Sequence, residues 1–147
     1  YSGTTTVVLR IEFRYLAPTY QLRAAVMNNF SVWQTSNWFN ITDTSHFVEI
    51  DWQAATSALS TNGYLTFWID GTQMANLTGV ANSSWRIDRI QLGAVAGIDT
   101  GTRGTYYFDA FESHRRAYSG PANGALALAI DTPALNLVYL PVVANEK

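Results

Sequence analysis

Apolar and polar side chains alternate along most of this chain with a period of two residues. The first clear case is VVLRIEFRYL (Val7–Leu16), where every second residue is apolar and Arg10, Glu12 and Arg14 lie between them. Successive side chains of a β-strand point to opposite faces, so this pattern predicts a strand with one face on a core and one in water. Only six residues precede it, so its covering layer must come from elsewhere.

Further segments with the same period predict more strands, separated by turn-forming residues. Asp70-Gly71 predicts a tight turn before TQMANLTG, and Asn62-Gly63 marks a connection after AATSAL. The predicted strands are YQLRAAVMN, FSVWQTSNWFNIT (a short hairpin or two edge pieces), HFVEIDWQ, YLTFWIDG, WRIDRIQLGAVAG and YYFDAFESHRR. This series predicts an all-β fold, an antiparallel two-sheet sandwich.

The character of the sequence changes after Ala117. We predict a sandwich domain over residues 1–118, a linker over 119–134 and an apolar C-terminal tail over 135–147, broken by Pro141. An uncovered sheet invites an added strand, so the tail is a candidate donor strand, in cis or in trans. Its assembly residues are Leu137, Val138, Tyr139, Leu140, Val142 and Val143.

Composition narrows the classes of protein to consider. The chain has 147 residues, of which 48% are hydrophobic and 14% charged, which suits one domain with a packed core. Its formal net charge of -2 argues against general nucleic-acid binding. No apolar run reaches the roughly 20 residues of a membrane span. The absence of cysteine does not decide the compartment.

Four motifs follow one another in an order that resembles the concanavalin/laminin-G-like jelly-roll superfamily. They lie at His46–Trp52, Leu65–Gly71, Ile87–Gly93 and Gly104–Phe111. The variant is most similar to domains of large secreted proteins of filamentous Chloroflexi-type bacteria, where a segment like YFDAFESRR closes the sandwich and a YLP patch often follows a linker. The likeness covers about Tyr1–Tyr118.

The resemblance implies a jelly-roll sandwich in a protein at the cell surface or outside the cell. Members of the family usually carry several strands before the one that matches VVLRIEFRY, so the chain would lack its N-terminal strands. These strands would lie in another fragment, be replaced by a neighbouring subunit, or be dispensable in a reduced fold. Four N-x-S/T sequons occur, at Asn29, Asn40, Asn76 and Asn82. They are chance matches in a β protein rich in Asn, Thr and Ser unless the source glycosylates them, and they agree with an extracellular surface.

Relatives often hold calcium in rim loops, so the resemblance also implies a possible Ca²⁺ site. The candidate ligands are Asp70, Asp99 and Asp109, with Asp43 behind them. The alternative is that Asp70 is a turn residue before Gly71, and that Asp109 caps the backbone or pairs with an arginine. We expect no other cofactor.

The segment EIDWQ raises the question of catalysis. Laminarinase-like glycosidases carry carboxylates on alternate strand positions, as Glu49 and Asp51 are here, but the third position is Gln53, which cannot act as a general acid. His46 and His114 have no zinc-ligand spacing, and no nucleophile-elbow motif is present. We therefore predict a protein that is not an enzyme.

Aromatic residues on polar strand faces suggest a second hypothesis. Tyr64 and Trp68 lie opposite an apolar face, and Trp33 and Trp38 are predicted at a loop or edge, where flat rings stack on sugars. The alternative is core packing. The first hypothesis is a non-catalytic adhesive or structural module of a surface protein or filament, completed by strand addition; the second is a carbohydrate-binding module.

Overall fold

The computed structural model describes residues 6–98, 100, 103, 105–114 and 136–145, with His114 and 136–145 described through their backbone alone. Throughout this part of the chain the regular elements are β-strands, and all paired strands are antiparallel. They are β1 (Leu9–Leu16), β2 (Thr19–Met27), β3 (Trp33–Thr35), β4 (Phe39–Ile41), β5 (Ser45–Gln53), β6 (Gly63–Ile69), β7 (Thr72–Val80), β8 (Thr105–Tyr107), β9 (Ser113–His114) and β10 (Asn136–Asn145). The predicted all-β class is confirmed.

The strands form two sheets. In the first sheet, β1 pairs with one edge of β2, while the short strands β3 and β4 follow each other along the opposite edge. In the second sheet the order is β7-β6-β5-β10, with β8 and β9 along the far edge of β10. Within the described residues, the structure contains no helix of the length and apolarity needed to cross a membrane.

The core lies where the apolar faces of the two sheets meet, an arrangement consistent with a β-sandwich. Its buried residues come from β2, β4, β5, β6 and β7: Leu22, Ala24, Val26, Ile41, Val48, Ile50, Trp52, Leu65, Phe67, Ile69, Leu77 and Val80. The apolar face of β1 packs against this core through Leu9, Ile11 and Phe13. Residues of this chain therefore supply the layer that the opening strand requires.

The prediction of a strand at WRIDRIQLGAVAG is wrong. Residues 85–97 form no strand, although Trp85, Ile87 and Ile90 pack against the core. The Trp85 indole Nε1 donates to the carbonyl oxygen of Asn28 at 2.9 Å. An irregular segment that lies against the end of a sandwich also buries every second or third side chain, so the apolar pattern alone did not distinguish it from a strand.

The segment YYFDAFESHRR is not one continuous strand. It contains β8 and β9, separated by residues 108–112, in which Ala110 has a φ of 51°. A residue with a left-handed backbone interrupts a strand, and β8 and β9 then pair with different parts of β10.

Pro141 does not break the tail. β10 runs through it, and Pro141 lies opposite Phe47 of β5. Phe47 directs both its N–H and its C=O towards Asp70, so this position of the β5–β10 ladder requires no donor from Pro141. On the other edge, β8 and β9 pair only with residues 143–145 and 137–138. Proline is tolerated where neither neighbour needs its missing N–H.

The tail of this chain therefore pairs in cis with β5, from Asn136 opposite Trp52 to Val143 opposite Ser45. The predicted linker, 119–134, lies outside the described residues. Addition of this strand to another subunit remains a prediction.

One buried side chain ties together three segments at one end of the sandwich. Asn82 is fully buried; its Oδ1 accepts from the Ala55 N–H at 2.7 Å, and its Nδ2 donates to the Gln53 carbonyl at 3.2 Å. Its amide occupies the space beside Gly63. Asn82 also begins a sequon, and its burial leaves no room for a glycan in the folded protein.

This close approach predicts a strong effect of Gly63→Ala. The new Cβ would lie 1.9 Å from Asn82 Oδ1 and 2.7 Å from the Val80 carbonyl oxygen. Displacing a buried, doubly bonded amide should lower the free energy of unfolding by about 2 kcal/mol or more. Urea unfolding measures this change.

Gly79→Ala is the matched control. Gly79 has a φ of 75°, but a methyl group added there would have no neighbour within 4 Å, so only backbone strain of about 1 kcal/mol is expected. A larger loss at Gly79 than at Gly63 would contradict the assignment of the Asn82 contact as the dominant one.

Candidate functional site

The four aromatic residues predicted to bind sugars do not converge on one surface. Tyr64 and Trp68 alternate with the buried Leu65 and Phe67 on β6, so they lie on the outer face of the second sheet. Trp33 and Trp38 belong to the outer face of the first sheet, on the opposite side of the molecule. The two pairs therefore define separate candidate surfaces.

A buried serine places the two tryptophans of the first sheet. Ser36 follows β3; its N–H donates to the Ala24 carbonyl at 2.9 Å, and its Oγ accepts from the Ala24 N–H at 3.0 Å. The corner between β3 and β4 is thereby attached to the middle of β2. Trp33 and Trp38, on either side of this corner, are both held over the outer face.

Three arginines lie against these two rings. The guanidinium carbon of Arg10 is 4.1 Å from the centroid of the Trp33 ring. Those of Arg14 and Arg23 are 4.1 and 4.4 Å from the Trp38 ring. A guanidinium at this distance from an indole gains a cation–π contact, and the ring limits where the guanidinium can lie. We call this surface the arginine–tryptophan face.

Polar contacts arrange the arginines in two rows across the strands. In the first row, Arg23 Nε donates to Glu12 Oε2 at 2.6 Å, and Arg10 Nε forms an ion pair with Glu12 Oε1 at 2.6 Å. In the second, Arg14 Nε donates to Gln21 Oε1 at 2.7 Å. Gln21 Nε2 then donates to Asn40 Oδ1 at 2.7 Å. Trp38, which contacts one arginine of each row, connects the rows.

Each of the three arginines uses its Nε within the protein. Across the part of the chain that the structure describes, their terminal Nη nitrogens make no protein hydrogen bond. Ion pairs and cation–π contacts at exposed positions each contribute at most about 1 kcal/mol to stability. The main consequence of the network is therefore positional: it holds three forks of N–H donors at the surface.

From the alternation alone, Arg10 and Arg14 are expected to be solvated residues of a strand, and nothing in the sequence singles out Arg23. The signal was present in the alternation, because Arg10, Glu12 and Arg14 share the polar face of β1. The register that places Arg23 opposite Glu12 and Gln21 opposite Arg14 depends on the β1–β2 pairing. The contacts with tryptophan depend further on the Ser36 corner.

The outer face of the second sheet has a different character. Glu49 and Asp51, on alternate positions of β5, are only 3% and 7% exposed between β6 and β10. Tyr64 donates its hydroxyl hydrogen to Asp51 Oδ2 at 3.0 Å. Burial raises the pKa of Asp51, and this hydrogen bond offsets part of the rise. A polymer in solution does not reach these carboxylates without movement of the sheet.

Tyr64 is also altered by this contact. Burial raises the pKa of its hydroxyl, and the neighbouring Asp51 carboxylate raises it further, both by its charge and by accepting the hydrogen bond. Tyr64 therefore remains a neutral donor to Asp51, and its polar group is engaged within the protein.

The calcium candidate Asp70 serves the turn between β6 and β7. It has a φ of 51° and is followed by Gly71 with a φ of 76°, the backbone of a tight hairpin turn. Its Oδ1 accepts from the Phe47 N–H at 2.8 Å, and its Oδ2 lies 2.6 Å from His46 Nδ1. The predicted turn is confirmed, and both carboxylate oxygens of Asp70 contact β5, which attaches the turn to that strand.

The remaining calcium candidates are dispersed. Asp109 is exposed and accepts from the N–H of Ala110 at 2.7 Å, while Asp43 lies between β4 and β5. Asp99 lies outside the described residues. Among those that are described, no group of three or more His, Asp or Glu side chains is placed to hold a metal ion.

His46 also contacts Thr42, so a hydroxyl, an imidazole and a carboxylate stand in a row. Thr42 Oγ1 lies 3.0 Å from Nε2, and Asp70 lies on the Nδ1 side. Hydrolase triads use the same order of groups. Here the Thr42 backbone N–H also donates to Nε2, at 3.2 Å, so the ring joins the β4–β5 and β6–β7 turns. This shared acceptor favours a structural role.

Comparison with models of protein families, with curated proteins and with solved structures gives no match to this chain.

The buried Asp51 carboxylate predicts a gain in stability from Asp51→Asn. Because its pKa is raised above the ordinary 3.8, the folded state binds this proton more tightly than the unfolded state. The free energy of unfolding therefore falls as the pH rises from about 3.8 through the raised pKa. An amide keeps an acceptor for Tyr64 and removes the desolvated charge.

We expect the asparagine variant to be more stable than the parent at pH 7, with the difference shrinking below pH 3.8. Urea unfolding across this range measures it. Asp109→Asn, at an exposed carboxyl, is the control and should follow the parent. A destabilised Asp51→Asn protein at pH 7 would show that the carboxylate has a stabilising partner.

Proposed function

We propose that this protein is a non-catalytic, extracellular β-sandwich module of a surface protein or filament, and that it binds carbohydrate through the arginine–tryptophan face. The observation that carries the proposal is the placement of Trp33 and Trp38 on one exposed sheet face, within a lattice of planar polar side chains. Sugar-binding surfaces combine aromatic contact area with fixed donors and acceptors for hydroxyl groups.

The composition of the face supports binding over a purely structural role. Gln21, Asn40 and the arginines supply donors and acceptors whose positions are set before a ligand arrives, so little conformational entropy is lost on binding. Its three arginines, Gln21 and Trp33 lie on β-strands, which hold side chains more rigidly than loops do, and Trp38 directly precedes β4.

Three features support the non-catalytic and extracellular parts of the proposal. The carboxylates of EIDWQ are buried, and the third position is Gln53. The sequon at Asn76 lies at an exposed position away from the arginine–tryptophan face, where a glycan has room. The motif order resembles that of secreted jelly-roll domains. We accordingly propose a jelly-roll, concanavalin-like topology for the sandwich.

A glycan array tests the proposed function. We expect wild-type protein to bind at least one polysaccharide, and Trp38→Ala to weaken that binding about tenfold or more, because both arginine rows lose their common support. Binding is measured by array fluorescence and then by calorimetry, with thermal unfolding to confirm that each variant is folded.

Trp68→Ala, on the opposite sheet, is the matched control and should bind like the wild type. Equal loss in the two variants, or no polysaccharide bound by the wild type, would contradict the proposal.

A second candidate function, assembly by strand exchange, is favoured by the position of β10. This strand lies between β5 and the β8/β9 edge, although residues 115–135 separate it along the chain from β9. A strand that enters the middle of a sheet from a distant segment can be exchanged between copies without new contacts. We propose that the same β5 position accepts β10 of a neighbouring subunit in a filament.

Engineered cysteines distinguish cis from trans pairing, because the chain has no cysteine of its own. Val143 lies opposite Ser45, two residues from the Pro141–Phe47 pair. Like that pair, these two residues exchange no ladder hydrogen bonds, so their Cα atoms are close enough for a disulfide. Mixed Ser45→Cys and Val143→Cys proteins should form a disulfide-linked dimer if strands exchange.

The double variant should close within one chain in the cis form, which non-reducing electrophoresis separates from the dimer. Dimer absent from the mixture at every protein concentration, with efficient closure in the double variant, would contradict assembly by exchange.

A further inference from the structure

We propose that the ligand of the arginine–tryptophan face is an acidic polysaccharide, and that Arg10, Arg14 and Arg23 bind its uronate carboxylates through their terminal Nη groups. This inference rests on the proposed carbohydrate-binding function and names the class of sugar.

The arginines are prepared to bind a planar anion. Each one is anchored by its Nε and lies against an indole ring, so the guanidinium plane is held while the Nη edge points away from that anchor. A fork of two parallel N–H donors matches the two oxygens of a carboxylate. A single neutral hydroxyl carries one oxygen and no charge, so it matches a fork of two charged donors less well than a carboxylate does.

The charge of the face agrees with this assignment. Its outward strand positions carry three arginines and one acidic residue, Glu12, whereas the whole chain has a net charge of -2. Glu12 lies lower than its neighbours, with its side chain 19% exposed against 43% for Arg10. It neutralises one positive charge and leaves an excess of positive charge at the surface.

Glu12 also shows that the site suits a carboxylate. Its two oxygens lie 2.6 Å from the Nε atoms of Arg10 and Arg23. Uronate carboxylates present the same planar group to the unused side of the same guanidinium ions. Two of the three guanidinium groups therefore already contact a carboxylate, which is the group that we propose they also bind in the ligand.

The spacing favours a polymer over a small anion. Arg10 and Arg14 are four residues apart on β1, so their backbones are separated by about 13 Å. A single small anion contacts one fork, while a chain with repeated carboxylates contacts forks at both ends of the face. Several weak contacts on one chain then add to a higher avidity.

Nucleic acid is the other polymer that uses arginine and aromatic side chains. A nucleic-acid surface neutralises many phosphates with many cations, and this face offers an excess of only two charges on an acidic protein. The observations favour the uronate polymer.

Matched ligands test the proposal. Polygalacturonate and its methyl ester have the same sugar backbone, but the ester lacks the negative charge. We expect the full chain to bind the acid about tenfold more tightly than the ester in calorimetry at about 50 mM salt, and less tightly as salt is raised.

Arg14→Gln should weaken binding of the acid about tenfold, and Arg14→Lys should do the same, because lysine keeps the charge but has no planar fork. Arg86→Gln is the control: it removes the same charge from an exposed arginine whose Nη1 donates to the Ser83 and Trp85 carbonyls. Its affinity should equal that of the wild type.

The outcomes separate this inference from the proposed function. Equal binding of acid and ester, lost in Trp38→Ala, would overturn the uronate assignment and leave carbohydrate binding in place. Full affinity in Arg14→Lys would overturn the role of the fork. A single-stranded DNA oligonucleotide or dextran sulfate that binds more tightly than polygalacturonate would overturn the choice of ligand. No binding of any polysaccharide would overturn both proposals.

Discussion

The contact between the apolar faces of the two sheets is the constraint on which the rest of this structure depends. β2 contributes Leu22, Ala24 and Val26, and β5 and β6 oppose them with buried apolar side chains such as Ile50 and Phe67. Because side chains of a strand alternate, burying one set obliges the other set to lie outside. The arginine–tryptophan face and the buried carboxylate row are therefore both consequences of how the core is packed.

The two outer faces differ in how their polar residues are paired and buried. On the first sheet, Glu12 pairs with Arg10 and Arg23, Gln21 accepts from Arg14, and the arginines still leave donors at the surface. On the second sheet, flanking strands on both sides of β5 enclose Glu49 and Asp51, which raises the pKa of Asp51 by desolvation. An open lattice suits recognition, whereas an enclosed carboxylate destabilises the folded state at neutral pH.

The sequence predicted several strands correctly, but it did not predict where every strand occurs or continues. It predicted β2, β5, β6 and the Asp70-Gly71 turn because alternation and turn chemistry are local. It misplaced a strand at 85–97 because an irregular segment that packs on the core has a similar apolar pattern. It also predicted a break at Pro141. Proline lacks a backbone N–H, which is tolerated only where neither neighbouring strand needs a hydrogen bond from that position, and this depends on the strand pairing.

By itself, the sequence determined the all-β class, the period of the strands and the polar side of β1, because each of these follows from the order of neighbouring side chains. Only the tertiary structure decided which strands are neighbours. It brought Arg23 to Glu12, Trp38 to Arg14 and β10 to β5, across separations that no local pattern encodes. The candidate site is a product of this pairing, since its members touch only when the register of the first sheet is set.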